Sequence, residues 1–157
     1  MTGGLDPKGV VLRWASTDEA SALHDLYRRS SAMSESGRLA LTERPGMVEP
    51  SLEDLDAGRV RVAAEEGRIA GFAVSVRGDD GRAELDGLFV DPSAWRRGLG
   101  RRLVNDAASR ARDEGASRLS VTANLDAVSF YEALGFVVDR PVDTDFGPAA
   151  RMHRRLG

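Results

Sequence analysis

Between Val60 and Val90 three apolar runs follow one another across short glycine turns, and from Leu99 the apolar repeat changes from strand-like to helix-like. No other feature constrains the fold as much, because strand and helix faces have incompatible periods. The runs are Val60 to Glu65, Arg68 to Val76 and Ala83 to Val90. Their punctuation, "EEGR" and "RGDDGR", is turn chemistry at hairpin spacing, so an antiparallel meander is expected. Leu99, Leu103, Ala107 and Ala111 then fall four apart, flanked by Val104 and Ala108. They make one apolar face of a helix, and Gly115 ends it.

The remaining elements assemble around this centre. "VVLRW", Val10 to Trp14, reads as a strand, followed by a helix that Thr17 or Asp18 caps and that turns Leu23, Leu26 and Tyr27 inward. Ser30 to Glu49 mixes Ser, Gly, Pro and charge without a sustained period, as a mobile loop or weak helix does. Pro50 to Gly58 has proline at its start and glycine at its end, the asymmetry of a short helix. Further on, "SRLSVTAN" alternates as a strand, "DAVSFYEALG" is a short helix, "FVVDR" is a strand, and the tail "PAARMHRRL" adds a final edge strand. Trp14 and Phe72 read as strand residues that help build the core. The sum is an α/β (α+β) fold, one domain over residues 1–157, with a mixed, mostly antiparallel sheet of six to seven strands and helices on both faces.

Several function classes drop out on composition. A chain of 157 residues buries a sizeable core unaided, and the absence of cysteine removes disulfides, thiolate nucleophiles and cysteine-based zinc sites. The two histidines, His24 and His153, lie far apart, which argues against a metal site or a serine triad. His24 is expected on the outer face of the first helix and His153 on the terminal strand, neither in catalysis. No run has the roughly eighteen apolar residues of a membrane span, and "MTGGLDPKGV" lacks the apolar centre of a signal peptide. A cytoplasmic protein without membrane contact is expected. At a net charge of -3, no global excess of positive charge draws the chain onto nucleic acid.

"DPSAWRRGLGRRLV", Asp91 to Val104, is the stretch that carries chemistry. A strand end, a turn with Gly98 and Gly100, and a helix opening near Leu99 aim unpaired N–H groups at one point, where anions bind. Glycines permit close approach of a phosphate there, and Arg96, Arg97, Arg101 and Arg102 surround the point with forked donors. The plain alternative is a glycine turn before an arginine-decorated helix with pairs such as Arg102 and Asp106, or Asp106 and Arg110. A nucleic-acid surface needs stacking aromatics that the stretch lacks, and Asp86 and Asp91 interrupt any basic stripe. A Walker site needs Lys-Ser or Lys-Thr after the glycines, and a dinucleotide fingerprint needs a third glycine where Leu103 stands.

A second segment, "NLDAVSFYEALGF", Asn124 to Phe136, follows at a distance of some twenty residues. Together with "LFVDPSAWRRGLGRRLV" it resembles the GCN5-related N-acetyltransferase family, closely over Ala83 to Phe136 and loosely in the element order of the rest. The resemblance implies acetyl-CoA as co-substrate, no metal, and a slot between two splayed parallel strands, here Ala83 to Val90 and Arg118 to Ala123. Main-chain groups of Phe89 and Val90 would pair with the pantetheine arm. The diphosphate would sit on N–H groups from Arg97 through Arg102, including Gly98, Leu99 and Gly100, with Arg96 lending charge. Asn124 would hydrogen-bond the arm, and Tyr131 would stand near the thioester sulfur. Trp95 departs from the pattern, which favours Gln or Arg at that place.

The implied reaction is acetyl transfer to a primary amine on a small molecule or peptide. A protonated amine cannot attack a carbonyl, so a base is needed. Glu84 and Asp86 lie two apart on one face of the strand, and by the resemblance Glu84 is the first candidate base and Asp86 the second. Tyr131, whose phenol is protonated at neutral pH, is the general acid. Gly87 is the expected place for a bulge that splays the strand. Acceptor choice falls to Ser30 to Glu49 and to "DRPVDTDFGPA", where Glu35, Glu43, Asp143 and Asp145 would favour a cation. An exposed terminal strand makes a homodimer plausible. A binding or sensing module for acyl-CoA whose chemistry has lapsed is the alternative function.

Overall fold

The computed structural model describes residues 9–157. The N-terminal stretch read above for a leader therefore lies outside the described residues, apart from its last two positions. The strands are β1 Val10–Trp14, β2 Val60–Glu65, β3 Arg68–Arg77, β4 Arg82–Val90, β5 Arg118–Asn124, β6 Val137–Thr144 and β7 Gly147–Arg155. The helices are α1 Ala20–Ser31, α2 Glu35–Glu43, α3 Leu52–Asp56, α4 Leu99–Asp113 and α5 Val128–Ala133. The seven strands form one sheet in the order β1-β2-β3-β4-β5-β7-β6, as the mixed, mostly antiparallel reading requires. No helix among the described residues is long and apolar enough to cross a membrane.

The chain divides into two compact units, Met1–Val74 with Gly87–Val104, and Ser75–Asp86 with Asn105–Gly157. In the first, β1, β2 and β3 pair antiparallel as the meander predicts. Leu23, Leu26 and Tyr27 of α1 are buried with Val60, Val62, Phe72 and Val74 of β2 and β3. Phe72 has no solvent exposure. Its replacement by alanine is expected to cost about 3–5 kcal/mol of stability, measured by urea unfolding, because it removes apolar surface and leaves a cavity.

Trp14 departs from the core role expected of it. It stands at an outer strand, 48% exposed, and its cross-strand partner Arg61 lays its guanidinium 4.8 Å from the ring centroid. The pair is a cation–π contact at the sheet margin rather than core packing. The helix start also differs, since Glu19 reaches back to the Ser16 N–H at 2.8 Å and so places the cap before Thr17. The Ser30 to Glu49 segment holds a true helix, α2, whose Ser34 hydroxyl accepts from the Gly37 N–H at 3.0 Å. Its period escapes detection because α2 is short and Leu39 faces solvent, while Leu41 packs on the core cluster.

In the second unit β4 and β5 run parallel, with Arg82 to Leu85 opposite Arg118 to Val121. β7 pairs antiparallel with both β5 and β6. The C-terminal strand is therefore internal, not an edge, and the edge position falls to β6. Physically this follows from burial: Ala149, Ala150 and Met152 of β7 are buried, whereas β6 is exposed along most of its length and contains Pro141, which an edge tolerates. The two edges of the sheet are β1 and β6. Arg154 of β7 donates to the Asn105 side chain of α4 at 2.8 Å, while Arg151 and His153 alternate onto the other face of the strand.

Candidate active site

Within the first unit, β4 ends against an aromatic cluster. The Phe89 ring lies 5.1 Å from both Tyr27 and Phe72, edge-on to Tyr27. Phe89 folds back over Gly87, where a Cβ would come within 2.9 Å of the ring and push it aside. The strand's last main-chain groups are already partly engaged: the Asp91 N–H donates to Ala70 at 2.8 Å, and the Val90 carbonyl accepts from the Trp95 indole at 2.9 Å. Asp91 takes both Arg29 Nε and Nη2, at 3.1 and 2.6 Å, and the Ser93 hydroxyl at 3.0 Å. Burial opposes its charge, but these donors outweigh burial and hold the carboxyl below its usual range.

The turn that follows is wound in the left-handed region at Arg96, φ 67°, and again at Gly98, φ 78°. Left-handed residues alternating with an ordinary one are the backbone pattern of an anion nest. Helix α4 starts at Leu99, and its earliest hydrogen bond runs from the Arg102 N–H to the Gly98 carbonyl at 3.1 Å. The Arg102 N–H is thus engaged within the helix, and the first-turn donors before it are those of Leu99, Gly100 and Arg101. No acidic residue occupies that first turn, so the positive end of the helix is left for an anion. A Cβ built on Gly98 meets nothing within 4 Å. Arg96, Arg97 and Arg101 are exposed, Arg102 is half-buried, and Leu99 is buried and anchors the helix start. Arg97 pairs with Glu65 of β2.

Within the second unit, Glu84 is half-buried and Asp86 exposed. Arg151 of β7 grips Glu84 with both terminal nitrogens, Nη1 to Oε2 at 2.6 Å and Nη2 to Oε1 at 3.1 Å, and also holds the Thr122 hydroxyl at 2.9 Å. Its bond to Glu84 raises the Arg151 pKa further. Asn124 accepts the Ala127 N–H at 3.1 Å, capping the single turn of 3-10 helix that leads into α5. Tyr131 is 6% exposed, with Phe130 and Phe136 edge-on at 5.0 and 5.3 Å. Burial pushes its phenol well above the ordinary value, so it is a protonated donor across the neutral range.

Both histidines have structural duties. His24 is half-buried rather than outward, its Nε2 2.8 Å from the Pro50 carbonyl, and His153 Nδ1 lies 2.7 Å from Asp139. Sequence reasoning missed Arg151, Arg29 and Glu65. All three lie far along the chain from their partners, and only strand order brings them in; the alternation of β7 about buried Met152 is the one local sign that Arg151 shares a face with polar residues.

The first unit thus offers a left-handed turn opening a helix, and the second a buried phenol and two strand carboxylates. An uncharacterized N-acetyltransferase of Mycobacterium bovis is 32% identical over 83 residues, 51% of this chain and 53% of that protein. The chain thus spans about half the length of the curated relatives it matches. Among solved structures, the PaiA N-acetyltransferase of Thermoplasma acidophilum in complex with coenzyme A superposes with a TM-score of 0.77 at 19% identity, over 94% of this chain and 99% of that one. YncA of Salmonella typhimurium with its cofactor acetyl-CoA gives 0.76 at 21% identity, over 95% of each. The Acetyltransferase (GNAT) family model matches residues 20–136, most of the chain, and the protein belongs to that family.

Proposed function

We propose that the chain is an N-acetyltransferase that moves the acetyl group of acetyl-CoA to a primary amine of a small molecule or peptide. The observation that carries this reading is the turn at Arg96 to Gly98: a left-handed nest opening a helix with no first-turn acid, and open space where a Gly98 side chain would stand. These features fit a diphosphate. Amides of Gly98 through Arg101 would hold it, with the arginines Arg96, Arg97, Arg101 and Arg102 adding charge, while Phe89 and Val90 main-chain groups and Asn124 would bind the pantetheine arm. When bound, acetyl-CoA supplies an activated thioester.

The chain's own side chains would manage the protons. Glu84 or Asp86 takes one proton from the substrate ammonium, directly or through water, leaving an amine that attacks the carbonyl carbon. The main chain near Val90 steadies the developing oxyanion. Tyr131 gives its proton to the departing sulfur as the C–S bond breaks, and the tyrosinate recovers one from the new amide nitrogen. Two protons leave nitrogen, one ends on sulfur, and one reaches solvent from the carboxylate.

A second reading, a module that binds acyl-CoA without turnover, has one observation in its favour. Both oxygens of Glu84 are engaged by Arg151, the kind of ion pair a purely structural strand residue makes. Release of free thiol from acetyl-CoA across a panel of primary amines separates the two. Amine-dependent release supports the enzyme; tight coenzyme A binding with no release for any amine favours the module.

A further inference from the structure

We propose that Trp95 and Glu65 are positioning residues that hold the anion nest in its binding shape before any ligand arrives. The inference rests on the acetyl-CoA reading above. Arg96 is the crux: it is neither glycine nor asparagine, yet it sits at φ 67°. A side-chain-bearing residue stays in the left-handed region only where its surroundings over-determine it, and such residues gather at ligand clamps.

The two residues flanking Arg96 are the ones tied down. On one side the Trp95 indole N–H, the ring's only donor, bonds to the Val90 carbonyl at 2.9 Å and so closes the loop from strand end to turn. On the other, the Arg97 guanidinium is paired with Glu65 of β2. Trp95 is nonetheless 44% exposed, so the indole is spent on this bond rather than on core packing. Each tie stands on a strand of the first unit, and together they hold the left-handed residue between them. A nest built in advance binds a diphosphate without paying to order the loop.

The test compares two probes, coenzyme A and pantetheine, which shares the arm but lacks the diphosphate. Trp95→Phe keeps the ring and deletes only the donor; Glu65→Gln keeps the shape and removes the charge. Each is expected to weaken coenzyme A by about fivefold, the worth of roughly one hydrogen bond, and to leave pantetheine unchanged, by calorimetry. In a Trp14→Phe background, Trp95 emission should shift on adding coenzyme A. Equal affinity of wild type and both variants for coenzyme A overturns the proposal, as does tighter binding by either variant, which would make that tie a competitor of the ligand. Equal losses on both probes would place the effect outside the nest and also overturn it. Wild-type protein that binds no coenzyme A at all refutes the parent reading instead. Melting temperatures of the variants keep these outcomes apart from misfolding.

Discussion

Tyr131→Phe should lower kcat and kcat/KM together by about 100-fold or more while leaving the Kd for coenzyme A within about twofold. The substitution removes one oxygen from a ring otherwise fixed by Phe130 and Phe136, so packing is retained and only a proton is lost. Buried against those rings, the phenol is held in its neutral form well beyond the ordinary range, and a raised pKa means the acid persists as pH climbs. Wild-type turnover should accordingly show no alkaline loss near pH 10, where a free phenol titrates (about 10), that Tyr131→Phe abolishes. Stopped-flow thiol release with saturating amine provides the measurement. An unchanged rate would assign proton donation to another group.

The second large effect concerns binding. Gly98→Val should weaken coenzyme A by about 100-fold, and the melting temperature of the unliganded protein should fall by the cost of the backbone strain. Space is not the objection, since a Cβ there meets nothing. The backbone is: at φ 78° a branched side chain is strained, and its methyl groups would fill the opening from which a phosphate approaches. Gly98→Ala, with a smaller backbone cost and less bulk, should fall between. Calorimetric titration of both variants provides the measurement, and full affinity in Gly98→Val would place the anion elsewhere.

How far the fold was legible depended on how local the signal was. The meander from Val60 and the helix from Leu99 each announce themselves within a dozen residues, through period and turn chemistry, and both stand where the pattern puts them. Long-range order was less readable. Nothing in "PAARMHRRL" says that it inserts beside β5 and leaves the preceding strand at the edge; that follows from burial of Met152 and Ala150, which only the assembled sheet decides. Trp14 illustrates the same limit, because strand alternation cannot tell a core face from a margin.

The site divides along the same line. The glycine turn, Asn124 and Tyr131 belong to contiguous motifs and were readable as such. The Arg151 fork on Glu84 joins residues on β7 and β4 that are remote in sequence, and it occupies both carboxylate oxygens. Likewise Trp95, a departure from the expected residue type, acquires its meaning from a bond to Val90 that geometry alone reveals.

Amide-resolved NMR during coenzyme A titration tests the central claim most directly. The account predicts that the backbone N–H signals of Gly98, Leu99, Gly100 and Arg101 move most, that Arg102, already bonded within the helix, moves less, and that pantetheine leaves all five in place. Saturable coenzyme A binding with those amides unmoved would contradict it.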